Sequence, residues 1–428
     1  MAEKAGKEKN GGEGEAEKTA GGWVKDFARS KLRLLLAAGL GVVALNAASS
    51  LAADWYYHKT VLDTLMHGVL PPPVPPPELP RQELRRRVRE LLEPPQADRF
   101  YKIITGPPGG GKSTLLREAC RNLGRGVGYL DVNPAFEVDF GRDLGNAFNF
   151  RLQDHLSFLN TVAQPVLGTK YEDPRGQHPL ATTRRSAEAL HDAAVEFRRK
   201  TGRPFVLVID SADRLARNED SEKVLAAMRA FARDWAQEGT ITTIFVAHEW
   251  STVEKLIGEH PVQSRAGPPL RVPDITPGEA LQYLEALGVA PMMAEKCSEL
   301  VGGSLLLLQR CATLAKAGLP FTEVKQQMLD LIELAFLQAG LLDQTPQREG
   351  GLRCIEALLR SQDGGISAAD FRERVPDREQ QLGLLGRGVV VFDGRRLEFA
   401  SRLAATYAAE TLRSCLPRAV AEQHKLLR

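Results

Sequence analysis

The chain is 428 residues long, 43% hydrophobic, with a formal net charge of +2. A length of this order predicts two to three domains at ~150 residues each, and the near-neutral balance excludes a chain basic enough overall to bind nucleic acid by charge alone. Five cysteines (Cys120, Cys297, Cys311, Cys354, Cys415), none spaced C-x-x-C, exclude a zinc ribbon and argue against a disulfide framework, which predicts a reducing compartment for the folded part.

Residues 1–22 are mostly Gly, Glu, Lys and Ala and predict a disordered tail. Residues 34–53 then run without a charge, long enough for about 30 Å of helix. Lys25, Arg29, Lys31 and Arg33 precede this run, and Trp55, Tyr56 and Tyr57 follow it as an interfacial belt would. The expectation is a single-pass membrane anchor over 23–57, with a buried helix or a signal peptide as the other readings. Ala44, Ala48 and Ala52 are spaced so that two such spans could pack, a pointer to a homo-oligomer. Seven prolines within residues 71–80 predict a stiff polyproline II spacer. Behind it, Leu84, Val88, Leu91 and Leu92 form the apolar stripe of a short helix whose other face carries Arg81, Arg85, Arg86 and Arg89. That face suits anionic headgroups or a solvated helix docked on the next domain.

Residues 100–105 predict a strand and 113–122 a helix. Between them Gly106, Pro107, Pro108, Gly109, Gly110, Gly111, Lys112 and Ser113, followed by Thr114, complete a G-x-x-x-x-G-K-[ST] loop. In that setting the backbone amides converge on phosphate oxygens, Lys112 neutralises the β- and γ-phosphates, and the Ser113 hydroxyl ligates Mg²⁺. The ligand expected is therefore a nucleoside triphosphate with its metal. Further strands are expected over 127–132, 205–210 and 240–247, with 270–272 as the last. The third is a wholly apolar run closed by Asp210, the pattern of a buried parallel strand whose terminal carboxylate holds Mg²⁺ through water opposite Ser113. The fold class expected is α/β: a P-loop parallel sheet with helices on both faces, then a helical lid and a winged-helix-like domain.

A strand lying between the P-loop strand and the strand of Asp210 marks the additional-strand branch of P-loop ATPases. Over residues 98 to about 345 the chain resembles the AAA+/STAND group, in particular the archaeal-type ATPase domains. The likeness is carried by residues 106–114, by 206–210 with Asp213, Arg214 and Leu215, by 242–249, and by 270–280, where Thr276 and Glu279 form a capping box. It implies ATP and ADP as ligands, with Mg²⁺. Two departures stand out. Ser211 occupies the place where hydrolytic members carry a glutamate that polarises water, leaving Asp213 and Glu249 as candidate bases. Gly302, Gly303 and Ser304 stand where a Gly-x-Pro lid motif is usual. Arg265 lies in a loop where related proteins place a phosphate-sensing arginine, the alternative being a surface arginine.

The domain plan expected is a tail (1–22), an anchor (23–57), a spacer with basic helix (58–97), an ATPase core (98–275), a helical lid (276–345) and a winged-helix-like domain (346–428). Asp393 and Gly394 mark the hairpin of the last. Its recognition segment mixes Arg378 with Asp377 and Glu379, so a protein partner or an autoinhibitory role is favoured and nucleic acid is not. Together these readings predict a membrane-tethered, ATP-dependent conformational switch with slow hydrolysis. The alternatives are an active ATPase that remodels protein at a membrane and an origin-recognition-like DNA-binding ATPase.

Overall fold

The computed structural model describes residues 55–74, 81–95, 98–132, 139–150, 178–258, 260, 264–342, 346–385 and 387–412, with positions 39, 41, 48 and 52 ahead of them. The chain divides into two units, residues 1–59 with 151–177, and residues 60–150 with 178–428. In the first unit the described part is short, and Lys59 Nζ stands 5.4 Å from the Trp55 ring centroid. The expected span at 34–53 lies outside the described residues apart from those four positions. Among the described residues no helix is long and apolar enough to cross a membrane.

The second unit is built on five parallel strands: β1 (Lys102–Thr105), β2 (Val127–Asp131), β3 (Phe205–Asp210), β4 (Ile241–Val246) and β5 (Leu270–Arg271), in the order β2-β3-β4-β1-β5. The strand standing between β1 and β3 is thus β4. Every residue of β3 and β4 is buried, as continuous apolar runs demand when helices cover both faces. On one face Ile104, Val206, Val208, Ile244 and Val246 pack with Leu115, Leu116 and Cys120 of α2 (Lys112–Leu123) and with Val88 and Leu92 of α1 (Gln82–Leu92). On the other, Phe205 meets Phe148, just past α3 (Phe140–Ala147), and Phe197 of α4 (Pro179–Thr201) edge-on. Helices α5 (Glu219–Glu238) and α6 (Trp250–Ile257) lead into and out of β4.

The basic helix of the sequence reading is this docked α1. Its arginines are mostly engaged with the protein: Arg85 pairs with Glu118 of α2 at 3.1 Å, and Arg86 with Glu83 and Glu90 on its own surface. The core also begins earlier than residue 98. Val69 joins the free edge of β2, donating to the Val127 carbonyl and accepting from Tyr129 N–H, each at 2.9 Å. Arg121 holds the Pro71 carbonyl at 2.9 Å, so the start of the proline run is seated on α2.

After β5 come four helices, α7 (Pro277–Ala286), α8 (Pro291–Val301), α9 (Leu305–Lys316) and α10 (Phe321–Gln338). The capping box at Thr276 and Glu279 is formed as the sequence predicts. Then follow α11 (Pro346–Arg360), β6 (Gly365–Ser367), α12 (Ala368–Arg374), α13 (Arg378–Leu385), β7 (Val390–Phe392), β8 (Arg396–Phe399) and α14 (Arg402–Thr411), with an antiparallel sheet in the order β6-β8-β7. The boundary expected near residue 345 does not separate two cores. One buried cluster runs from Ile275 to Leu412, and Phe336 of α10 lies 4.9 Å, centroid to centroid, from Tyr407 of α14. Lid and C-terminal unit therefore form one body.

Candidate functional site: a phosphate-binding loop facing a buried carboxylate

All five strands end on the same side, and that edge gathers the loop after β1, Asp131, Asp210, the β4–α6 turn and the exit of β5. The loop enters α2 through Gly111 at φ +87°, so the first amides of α2 (Lys112, Ser113, Thr114) have no intrahelical partner and point out of the helix. Lys112 is 3% exposed, and its Nζ donates to the Gly106 and Pro107 carbonyls at 2.7 and 2.8 Å. Burial lowers its pKa to about 8, against the opposing pull of Asp213, Asp210 and Asp274.

The loop is gripped from two sides. Gly109 (φ +76°) accepts from Leu305 N–H at 3.1 Å, and a Cβ on it would fall 2.9 Å from Leu306 Cβ, so the N-terminus of α9 sits directly on the loop. Gly303, in the turn expected to carry the lid motif, accepts from Ile275 N–H at 3.1 Å. From the other side Arg81, 5% exposed, donates to the Gly110 carbonyl at 2.9 Å and to the Pro273 carbonyl. Burial lowers the Arg81 pKa, while Glu279 and Asp274 oppose the shift. Asp274 keeps a buried oxygen, Oδ1, without a hydrogen-bond partner among the described residues, and desolvation raises its pKa. Arg81 is therefore a loop-bracing residue, not part of a lipid-facing surface.

Across the cleft Asp210 is fully buried at the end of β3. Its Oδ1 accepts from Ser211 N–H at 2.9 Å and its Oδ2 from the Tyr129 hydroxyl. Ser211 takes a left-handed conformation (φ 60°, ψ 40°), uncommon for a residue with a side chain, and its hydroxyl bonds Asp131 Oδ1 at 3.1 Å.

The two candidate bases differ sharply. Asp213 is engaged on both oxygens: Oδ2 accepts from His248 N–H at 2.7 Å and lies 2.8 Å from His248 Nδ1, while Oδ1 accepts from Glu249 N–H at 2.9 Å. Burial pushes its pKa up, but the bonds and charge of His248 outweigh that and leave it below the usual carboxylate range. It ties the 3₁₀ turn Ala212–Ala216 to the β4–α6 turn, and so stabilised it is a weak base. Glu249 precedes α6, makes no side-chain cap there, and is exposed at the rim. Desolvation, then the neighbouring charge of Asp213, raises its pKa, the direction a base working near neutral pH requires. Arg265 is elsewhere: its carbonyl accepts from Tyr101 N–H at 3.0 Å, at the start of β1, so the loop holding it lies at the opposite end of the strand from the phosphate loop. Within one chain, then, Arg265 and the phosphate loop lie at opposite ends of β1.

Beyond Glu249 a cavity of about 760 Å³ separates this edge from the C-terminal unit, lined by Pro108, Ser211, Glu249 and Trp250 on one side and Phe371 and Arg372 on the other. The β7–β8 hairpin closes one end. A Cβ on Gly394 would lie 2.2 Å from Trp250 Cζ2, and Arg271 of β5 pairs with Asp393 and, at 3.6 Å, with Glu398.

Glycine-shaped backbone, a buried lysine and first-turn amides fit a polyphosphate. The hydroxyl of Ser113 and the carboxylate of Asp210 are the hard oxygen donors that suit Mg²⁺. Sheet order and loop define an α/β fold of the P-loop NTPase class. Residues 79–242 match the family model described as AAA ATPase domain. No curated protein matches the chain in sequence. Among solved structures, the Walker-type ATPase PABY2304 of Pyrococcus abyssi aligns at 17% identity and a TM-score of 0.47, covering 78% of this chain and 96% of the other. The Aeropyrum pernix ORC2 protein aligns at 16% and 0.43 (81% and 98%), and the ORC1 protein of the same organism, solved in complex with DNA, at 15% and 0.37 (82% and 97%). The assignment of the fold rests on the strand order and the loop, not on these alignments.

Arg81, Tyr129 and His248 are the site residues that sequence reading misses. Tyr129 left one signal, a hydroxyl-bearing ring inside an otherwise apolar strand close to its carboxyl end.

Proposed function

We propose that the chain binds ATP with Mg²⁺ and uses the bound state to set the posture of its lid and C-terminal unit, hydrolysing slowly. The observation that carries this reading is the hydrogen bond from Leu305 N–H to the Gly109 carbonyl. Helix α9 begins on the phosphate loop, and α9 belongs to the same core as the C-terminal unit, so a ligand that reshapes the loop moves both. The loop amides and Lys112 bind the phosphates, Ser113 and Asp210 hold the metal, and Mg²⁺ neutralises charge on the phosphate oxygens. Ser211 in place of a carboxylate, together with an Asp213 held on both oxygens by the β4–α6 turn, leaves Glu249 as the remaining base and favours a clock over a motor. Hydrogen exchange of the full chain with ADP or with Mg·ATP tests this. The reading expects protection at 302–309 and at the 393–396 turn to differ between the two states; identical protection would remove the switch.

The C-terminal unit has the element order of a winged helix. Because its hairpin is engaged with Trp250 and Arg271, we read it as a regulatory surface for a protein partner. Residues 34–53 are proposed as a single-pass anchor, tested by alkaline extraction of membranes, where release into the soluble fraction counts against it. Duplex DNA is the second reading, favoured by the same element order and by exposed Arg395. Binding measured at two salt concentrations separates the two, since a steep salt slope would replace the protein partner with DNA.

A further inference from the structure

We infer that Tyr129, oriented by Arg117, is a positioning residue that fixes the Asp210 carboxylate for the divalent cation accompanying the triphosphate. The inference deepens the reading above and rests on it. Asp210 is fully buried, and each of its oxygens accepts one bond from protein, Oδ1 from Ser211 N–H and Oδ2 from the Tyr129 hydroxyl. A carboxylate oxygen has two acceptor positions, so one on each remains for water of the cation's shell. With both oxygens tethered, the carboxylate plane cannot turn about its last torsion.

The tyrosine is itself oriented. Arg117 Nε donates to the phenolic oxygen at 2.9 Å, which fills the acceptor role and commits the single hydroxyl proton to Asp210. Arg117 is held in turn by Asp131 Oδ2 at 3.1 Å. The backbone is fixed on both sides, by the register of Tyr129 with Val208 and by Tyr129 N–H donating to the Val69 carbonyl at 2.9 Å. A tyrosine present only to fill the core would need any carbonyl as partner. This one spends its proton on the carboxylate that faces the phosphate loop. Removing such an outer partner of a metal ligand typically costs about 10–100-fold in metal affinity.

The test titrates Mg²⁺ into the full chain with a fluorescent ATP analogue, starting from EDTA. Tyr129→Phe is expected to bind the analogue in EDTA as the unaltered chain does, and to need about 10–100-fold more Mg²⁺ to reach the tight complex. Arg117→Gln shifts the midpoint the same way by less, and the double variant matches Tyr129→Phe alone, because the arginine acts through the ring. An unmoved or lowered Mg²⁺ midpoint in Tyr129→Phe overturns the inference, as does a double variant whose shift is the sum of the two. Should Tyr129→Phe fail to fold, half-buried Arg117→Gln decides by the same midpoint, and no shift there overturns the inference too. Failure of the unaltered chain to bind the analogue at all would instead remove the triphosphate reading on which the inference stands.

Discussion

The two walls of the cleft are built differently. The phosphate-loop wall is packed backbone against backbone: α9 begins on Gly109, Gly303 is bonded to Ile275, and Arg81 braces Gly110 from outside. The opposite wall, from Ser211 to Glu249, opens on a cavity of about 760 Å³ and ends in side chains with unequal freedom. The proposed slow switch rests on this contrast between a wall packed without slack and one that carries few groups able to act as a base.

Exchanging the two acidic residues of the open wall is the strongest way to break this comparison. Glu249→Gln is expected to lower single-turnover hydrolysis by about 10²–10⁴-fold while leaving binding intact. Asp213→Asn is expected to cost stability, about 1–3 kcal/mol in denaturant unfolding, because an NH2 group replaces one of the two buried oxygens that accept from the His248 and Glu249 amides. Equal hydrolysis in Glu249→Gln and the unaltered chain would remove Glu249 as the base.

Gly303→Ala probes the packed wall. A methyl there would lie 2.0 Å from the Ile275 carbonyl oxygen and 2.8 Å from its nitrogen, backbone atoms that cannot swing aside as a flexible side chain could. A loss of about 1–3 kcal/mol is expected from the denaturation midpoint, and a neutral substitution would mean the lid is not seated as described.

The smallest effect is one of pH. Because Lys112 has its pKa lowered to about 8 by burial, and phosphate beside it raises that value again, binding takes up a proton above that pH. Affinity is then full below about pH 8 and falls above it, by at most about tenfold per pH unit, in isothermal titrations. Without nucleotide the sign reverses for stability. Between about 8 and the ordinary lysine value of 10.5 the unfolded chain binds more protons, so the folded chain gains stability as pH rises. A flat affinity profile to pH 10 would mean the lysine does not titrate in the loop.

What could be read from the sequence follows the same division. The loop, Asp210 and all five strands are local patterns, a glycine-lysine string and apolar runs, and they lie where they were expected. The partners that finish the site are distant in sequence: Arg81 reaches Pro273 across 192 residues, Tyr129 reaches Asp210 across 81, and Asp213 reaches His248 across 35. No periodicity encodes such pairs. The shared core of lid and C-terminal unit was hidden for a related reason, since amphipathic helices reveal which face is apolar but not what covers it. The place of Arg265 was hidden too, since its loop follows β4 in sequence yet returns to the far end of β1.

The account stands most directly on Lys112. Equilibrium binding of Mg·ATP to folded Lys112→Ala should be weaker by at least about tenfold, the lower end of the ~1.5–3 kcal/mol that a charged hydrogen bond contributes. Affinity equal to that of the unaltered chain would contradict a triphosphate site in this loop.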